Sequence, residues 1–275
     1  MANILKGKAV ADYIDELSIK EKQGHNPCLA IFKVGNKDND SSYERGIDKK
    51  SEKLDIKVVK YLFDDDCNPI DFYNKLDEAN NDDNISGILI FRPLPSQFKD
   101  TEVRNHINVK KDVDACSDLS LAGIFVGANN TFSPCTAEAV IETLHFYNID
   151  VTGKNVVVLG RSLVIGKPVS MLLLKENATV TIVHSKSKDV ADICKKADIL
   201  ICATGVMESI DETYVNPSQT VIDVGLNFNN EKGKLCGDCD YEKIEPIVKN
   251  LTPVPGGIGS ITTSILLNHV VKASR

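Results

Sequence analysis

Residues 155–175 read NVVVLGRSLVIGKPVSMLLLK. A short β-branched run, 155–160, ends in Gly160. A polar loop follows, and Gly166 opens an amphipathic helical stretch. Strand, glycine, loop and helix in this order make the start of a doubly wound unit. The generic GxGxxG fingerprint is absent. The ingredients of a phosphate site remain, because N–H groups at a helix start and the positive end of its dipole suit an anion. A plain strand-to-helix turn would have the same outline.

Reading outward, ATVTIVH (178–184), DILICAT (198–204) and TVIDVG (220–225) are further short strands, with a helix at KDVADICKKA (188–197). Continuous apolar runs of this kind belong to parallel strands buried on both faces. Upstream, CLAIFKV (28–34), KVVKYLF (57–63) and SGILIFR (86–92) read as strands, with helical stretches near 41–54 and 69–82. That alternation predicts a second parallel sheet covered by helices. TAEAVIETLHFYNID (136–150) predicts a long helix joining the two zones. A last helix at about 260–272 follows the loop TPVPGGIGS and is expected to return to the first zone. The fold class is therefore α/β in two domains: 1–140 completed by 260–275, and a Rossmann-like domain over 141–259.

Composition narrows the function. With 42% hydrophobic and 26% charged residues over 275 positions, the chain is an ordinary globular one. Its net charge of −7 argues against a broad nucleic-acid footprint. No apolar run reaches membrane-spanning length. The opening MANILKGKAVADYIDEL lacks the apolar core of a signal peptide, so the cytoplasm is the expected compartment. The eight cysteines read as buried free thiols. Cys236 and Cys239 have CxxC spacing, but zinc would need two more ligands and no second pair follows.

The end of the second strand of the Rossmann-like zone bears on the cofactor. An NAD site usually places a carboxylate there for the ribose 2′-hydroxyl. This chain has His184, Ser185, Lys186 and Ser187 and no acid, with Arg161 on the phosphate loop. A cationic, hydroxyl-rich site favours the 2′-phosphate of NADP.

Eight segments, in order, carry a resemblance to the methylenetetrahydrofolate dehydrogenase/cyclohydrolase family: SSYERGIDKKSEKL (41–54), RPLPSQ (92–97), KKDVDA (110–115), SPCTAEAV (133–140), VVVLGRSLVIGKPVSMLLL (156–174), TVTIVHSKS (179–187), VIDVGLN (221–227) and TPVPGGIGSIT (252–262). The resemblance covers almost the whole chain. It implies a two-domain enzyme, usually a homodimer, with a folate domain first and an NADP domain second. It further implies that Tyr43, Asp114, Pro253, Gly256 and Gly257 meet the folate. Gly160, Arg161, Ser162, Ile165, Gly166, His184, Ser185, Thr204, Gly205 and Leu226 would meet NADP. Most members of the family oxidise 5,10-methylene-tetrahydrofolate and then hydrolyse the methenyl product to 10-formyl-tetrahydrofolate.

The chain departs from that pattern at the chemistry. The family's catalytic Tyr is Tyr43, but its Lys, four residues on and so on the same helical face, is Ile47. A Gln that supports this Lys is Phe91. Lys49 points roughly 120° away from Tyr43, and Lys50 shares its face only about 10 Å along the axis. Ala115, Ala137, Ala139, Ser260 and Ile261 are further departures. Removal of both partners of a polar pair avoids leaving one buried and unpaired.

The two reactions make different demands. Hydride loss is driven by the neighbouring nitrogen lone pairs and needs alignment above all. Hydrolysis needs a positioned proton-transfer group. The expectation is a dehydrogenase with little cyclohydrolase activity. Competing readings are the ordinary bifunctional enzyme, with Lys50 or Arg92 moving the proton, a non-catalytic folate- and NADP-binding paralogue, and an unrelated Rossmann dehydrogenase. The last leaves KKDVDA and TPVPGG unexplained.

Overall fold

The computed structural model describes residues 1–35 and 38–275, and the side chains of all but 36–42. Ser41 and Ser42, which open the SSYERGIDKKSEKL segment, thus lie outside the described side chains. The chain forms two units, one of Tyr13–Cys135 with Thr263–Arg275 and one of Met1–Asp12 with Thr136–Thr262.

The chain opens with β1 (Asn3–Ile4) and α1 (Gly7–Glu21), which runs from the second unit into the first. Next come β2 (Cys28–Val34), α2 (Asp38–Leu54), β3 (Lys57–Phe63), α3 (Pro69–Asn81) and β4 (Gly87–Ile90). These strands form a parallel sheet in the order β3-β2-β4. All seven residues of β2 are buried, as befits the centre of the sheet, whereas β3 alternates towards solvent at the edge. Phe32, Phe72, Leu76 and Val103 lead the core on one face. Asn68 caps α3 by accepting the Ile70 N–H at 3.1 Å, with Pro69 just inside the helix. Beyond β4 lie α4 (Asp100–His106) and α5 (Asp118–Val126), two helices the sequence pattern does not announce. The strand expected at 86–92 stops at Ile90; Pro93 has no N–H to give a ladder.

After α6 (Cys135–Phe146), the second unit contains β5 (Asn155–Leu159), α7 (Gly166–Lys175), β6 (Thr179–Val183), α8 (Val190–Lys195), β7 (Ile199–Cys202) and β8 (Thr220–Asp223). A hairpin of β9 (Asn227–Asn229) and β10 (Lys234–Cys236), α9 (Tyr241–Ile244) and β11 (Asn250–Leu251) follow. The main sheet is parallel throughout, in the order β1-β11-β8-β7-β5-β6. The chain reverses its direction of growth after β6, so the switch point lies between β5 and β7, where open α/β sheets bind ligands.

Two boundaries differ from expectation. Met1–Asp12, expected in the first domain, groups with the second unit because β1 pairs with β11 through Asn3–Asn250 and Ile4–Leu251. The joining helix ends at Phe146 instead of 150, and Asn148 turns into the left-handed region at φ 52°. The last helix, α10 (Thr262–Ala273), contributes Thr263 onward to the first unit. No helix among the described residues is long and apolar enough to cross a membrane.

Candidate functional site

In the second unit, the residues marked for the cofactor gather at the C-terminal edge of one sheet. Gly160 follows β5 and donates its N–H to Val183 O at 2.9 Å, while Ala203 donates to Leu159 O at 2.8 Å. A Cβ on Gly160 would lie 2.2 Å from Ala203 O, and its φ is +123°. A Cβ on Gly166 would lie 2.2 Å from Gly160 O. Both glycines are thus required by backbone meeting backbone. Between them Arg161 and Ser162 are exposed and Ile165 is half-buried. Ser162 Oγ accepts the Ile165 N–H at 3.1 Å, which shapes the turn into α7.

His184, Ser185 and Lys186 follow β6, the neighbour of β5. The Lys186 N–H donates to His184 Nδ1 at 3.2 Å, so a neutral His184 carries its proton on Nε2. Ser185 and Lys186 are exposed. Thr204 and Gly205 follow β7, and Leu226 follows β8, 66% exposed. Pro253, Gly256 and Gly257 follow β11. Gly256 has φ +95°, and its carbonyl accepts the Gly7 N–H at 2.8 Å. A Cβ on Gly7 would strike Gly257 O, so the TPVPGG loop is seated on the start of α1.

The other unit holds Tyr43 and Asp114. The KKDVDA segment runs beside β4 through an isolated parallel bridge between Ile88 and Asp112, and Gly87 leaves room for Val113. Asp112 turns inward: it accepts from the Cys116 N–H at 3.0 Å, the Ser117 N–H at 2.9 Å and Ser120 Oγ at 2.6 Å. It is a structural acid that caps the entry to α5. Val113 O is fixed by His269 Nδ1 at 2.8 Å. Asp114 is left half-buried, with one oxygen accepting the Cys135 N–H at 3.2 Å. Burial raises its carboxyl above the ordinary range, opposed by the Cys135 hydrogen bonds. Burial, reinforced by the nearby Asp114 charge, holds the Tyr43 phenol well above its ordinary value, so it stays protonated. Tyr43 and Asp114 therefore share one locality.

Helix α2, which carries Tyr43, is clamped on two sides. Glu44 meets Lys33 at 2.9 Å and Lys60 at 2.8 Å, and Asp48 meets Lys60 at 2.7 Å. On the other side Lys50 reaches Asp15 at 3.3 Å and Ser264 Oγ at 2.5 Å, and Lys53 reaches Asp15 at 3.1 Å. Ile47, one turn after Tyr43, is fully buried. The Phe91 ring lies 5.7 Å from the Tyr43 ring, centroid to centroid. Two residues considered as substitutes for a catalytic lysine are thereby engaged elsewhere: Lys50 with Asp15 and Ser264, and Arg92 with Asp100 at 3.2 Å. Lys49 is exposed.

Ala115, one of the expected departures, stands in the left-handed region at φ 48°. Ala137 and Ala139 are fully buried in the first turns of α6. Ser260 Oγ donates to Gly257 O at 2.7 Å. The eight cysteines are free thiols, and Cys236 and Cys239 are buried.

Sequence reasoning missed Asp223 and Asp238. Asp238, buried between Cys236 and Cys239, accepts the Thr204 N–H at 2.6 Å and the Gly205 N–H at 3.0 Å. The CxxC spacing drew the reading to the sulfurs; the usable signal was a lone acid flanked by Gly237 and Cys239 in a buried stretch.

Known proteins resemble this chain over its whole length. Residues 5–114 match the catalytic domain of the tetrahydrofolate dehydrogenase/cyclohydrolase family, and residues 134–275 match its NAD(P)-binding domain. The bifunctional protein FolD of Clostridioides difficile is 46% identical over 277 residues, covering 99% of this chain and 96% of that protein. The bifunctional FolD dehydrogenase/cyclohydrolase of Campylobacter jejuni superposes with a TM-score of 0.96 at 32% identity, covering 100% of this chain and 99% of the other. The Trypanosoma brucei enzyme, solved with NADP cofactor and inhibitor, superposes with a TM-score of 0.92 at 28% identity, covering 99% and 97%. The chain belongs to the tetrahydrofolate dehydrogenase/cyclohydrolase family.

Proposed function

We propose that this protein oxidises 5,10-methylene-tetrahydrofolate to the 5,10-methenyl form with NADP and hydrolyses that product poorly. The observation that carries the reading is Ile47: fully buried, one turn from Tyr43, in the place of the family's proton-carrying lysine.

The residues at the sheet edge fit NADP. The close approach at Gly160 and Gly166 leaves room for phosphate against backbone N–H groups at the start of α7. Arg161, Ser185 and Lys186 give the 2′-phosphate cations and a hydroxyl, with no carboxylate at 184–187 to repel it. NADP supplies the hydride acceptor when bound. In the other unit, Asp114 accepts N–H bonds from the aminopyrimidine edge of the pterin. Tyr43, held neutral, packs on the substrate and keeps a hydroxyl donor beside it. Orientation of the methylene carbon then suffices for oxidation. Hydrolysis lacks a side chain that can move a proton at the place of Ile47. The chain acts in the cytoplasm as a homodimer, with Tyr13–Cys135 serving the folate and Thr136–Thr262 the cofactor.

A second reading, the full bifunctional enzyme, is favoured by the names of the relatives at 46% identity. One assay separates them: purified protein with methylene-tetrahydrofolate and NADP, with NADPH and the methenyl product followed separately. Both rising together, with methenyl decaying only at its spontaneous rate, supports the dehydrogenase. NADPH rising without methenyl supports the bifunctional enzyme. Neither rising removes both.

A further inference from the structure

Asp238 has no exposed surface, although it lies in a connecting segment after β10. Its Oδ2 accepts the backbone N–H groups of Thr204 and Gly205 at 2.6 and 3.0 Å. Its Oδ1 accepts from Asn227 Nδ2 at 3.1 Å. One carboxylate thereby joins the loop that leaves β7 to Asn227 at the start of β9, just beyond the neighbouring strand β8 and beside the switch point. The loops are pressed close: a Cβ on Gly225 would lie 2.2 Å from Asp238 Oδ1. Asp223 fixes the arrangement from behind. Its Oδ1 accepts the Gly225 N–H at 2.9 Å and the Asp238 N–H at 3.1 Å, and its Oδ2 accepts the Cys239 N–H at 2.9 Å.

We propose that Asp238 is a positioning residue for the cofactor, holding the Thr204–Gly205 backbone in the conformation that receives NADP. The proposal rests on the reading of Thr204 and Gly205 as cofactor residues. A carboxylate is the group that fits. All of its hydrogen-bond capacity is for accepting, and it faces donors at both ends: two N–H groups on one side and the Asn227 amide on the other. An asparagine of the same shape must turn its NH₂ towards one of those donors, leaving donor against donor. Gly205 has φ +68°, so without the bonds to Asp238 its backbone has wide freedom to rotate.

The experiment compares the wild type, Asp238→Asn, and Asp238→Asn combined with Asn227→Asp. NADPH affinity is read by cofactor fluorescence, folate affinity by tetrahydrofolate binding, and hydride transfer by the rate of NADPH formation. The single variant is expected to weaken NADPH binding about tenfold or more, the usual effect of a buried pair left unmade. Its tetrahydrofolate affinity stays unchanged. The double variant exchanges amide and carboxylate, restores donor to acceptor, and recovers most of the loss. Unchanged NADPH affinity in the single variant, or loss of stability without loss of affinity, overturns the proposal. Amide hydrogen exchange on the cofactor-free wild type covers the case in which the single variant does not fold. The Thr204 and Gly205 amides are then expected to be protected, and exchange at open-loop rates overturns the proposal. If the wild type itself does not bind NADPH, the cofactor reading fails first, and the positioning role fails with it.

Discussion

The Tyr43 and Phe91 rings pack 5.7 Å apart at a tilt of 51°, and Ile47 lies fully buried one turn along the same helix. Two apolar side chains thus occupy the positions that the proposed reading assigns to a Lys and a Gln in related enzymes. The double variant Ile47→Lys/Phe91→Gln is expected to raise the rate of methenyl-tetrahydrofolate hydrolysis by ~10²-fold or more, the usual worth of a positioned proton-transfer group. Ile47→Lys alone buries an unpaired ammonium and is expected to destabilise the protein by on the order of 3 kcal/mol. Loss of methenyl absorbance checks the first figure and urea denaturation the second. A double variant no faster than the wild type would sink the assignment.

Ala115 offers a test of local strain. At φ 48° its Cβ crowds the following carbonyl, which costs about 1–2 kcal/mol. Glycine relieves that strain but enlarges the unfolded ensemble, offsetting about 0.5–1 kcal/mol. Ala115→Gly is expected to stabilise the protein by ~0.5–1 kcal/mol. The urea midpoint should rise with an unchanged slope. A fall in the midpoint would mean that the buried methyl of Ala115 contributes more than its backbone strain removes.

Gly160 and Gly166 give an opposite expectation. A methyl at either position meets a carbonyl oxygen at 2.2 Å, Ala203 O for the first and Gly160 O for the second. Backbone cannot swing aside as a flexible side chain can, so each Gly→Ala variant is expected to lose ~1–3 kcal/mol of stability. Because the shifted backbone is the proposed phosphate cradle, NADPH affinity is expected to fall at least about tenfold with it. Calorimetry and NADPH fluorescence titration read the two effects separately.

Asp223 predicts a pH dependence with a definite sign. Burial pushes its carboxyl from 3.8 up to about 6, against the pull of its N–H partners. The folded protein thus holds this proton more tightly than the unfolded chain does. The contribution to stability is complete below pH ~4 and is lost as pH rises through about 6. At ~1.4 kcal/mol per pH unit, that gap corresponds to ~3 kcal/mol. Asp223→Asn is expected to remove this component, whatever its effect on absolute stability. Denaturation of both proteins from pH 4 to 8 should show a stability difference that changes across this window. A constant difference would mean that Asp223 keeps an ordinary acidity.

Much of this architecture could be read in the chain because burial writes itself into composition. β2, β5 and β7 sit inside sheets, so CLAIFKV, NVVVL and ILIC are largely apolar runs, broken only by Lys33 and the leading Asn155. The glycines of the proposed phosphate loop are legible because only a missing Cβ allows the approach at Gly160. Strands of two or three residues, such as β1 and β11, are too short to carry a period, and their pairing across the length of the chain leaves no local trace. Asp112 and Asp114 look alike in KKDVDA, and only the hydrogen bonds separate the structural acid from the half-buried one. Lys50 shares the face of Tyr43 by helical arithmetic, but Asp15 and Ser264, remote in sequence, decide where its ammonium rests.

The pairing of β1 with β11 also bears on how the protein is made. Asn3 is synthesised 247 residues before its partner Asn250, and Ile4 likewise precedes Leu251. The other unit waits as well, since its last helix begins to contribute only at Thr263. Neither unit can complete its contacts until both of its distant segments are made, and ladders this distant in sequence form slowly. The nascent chain therefore carries an unfinished sheet edge while the intervening residues are made, a period in which chaperones have something to hold.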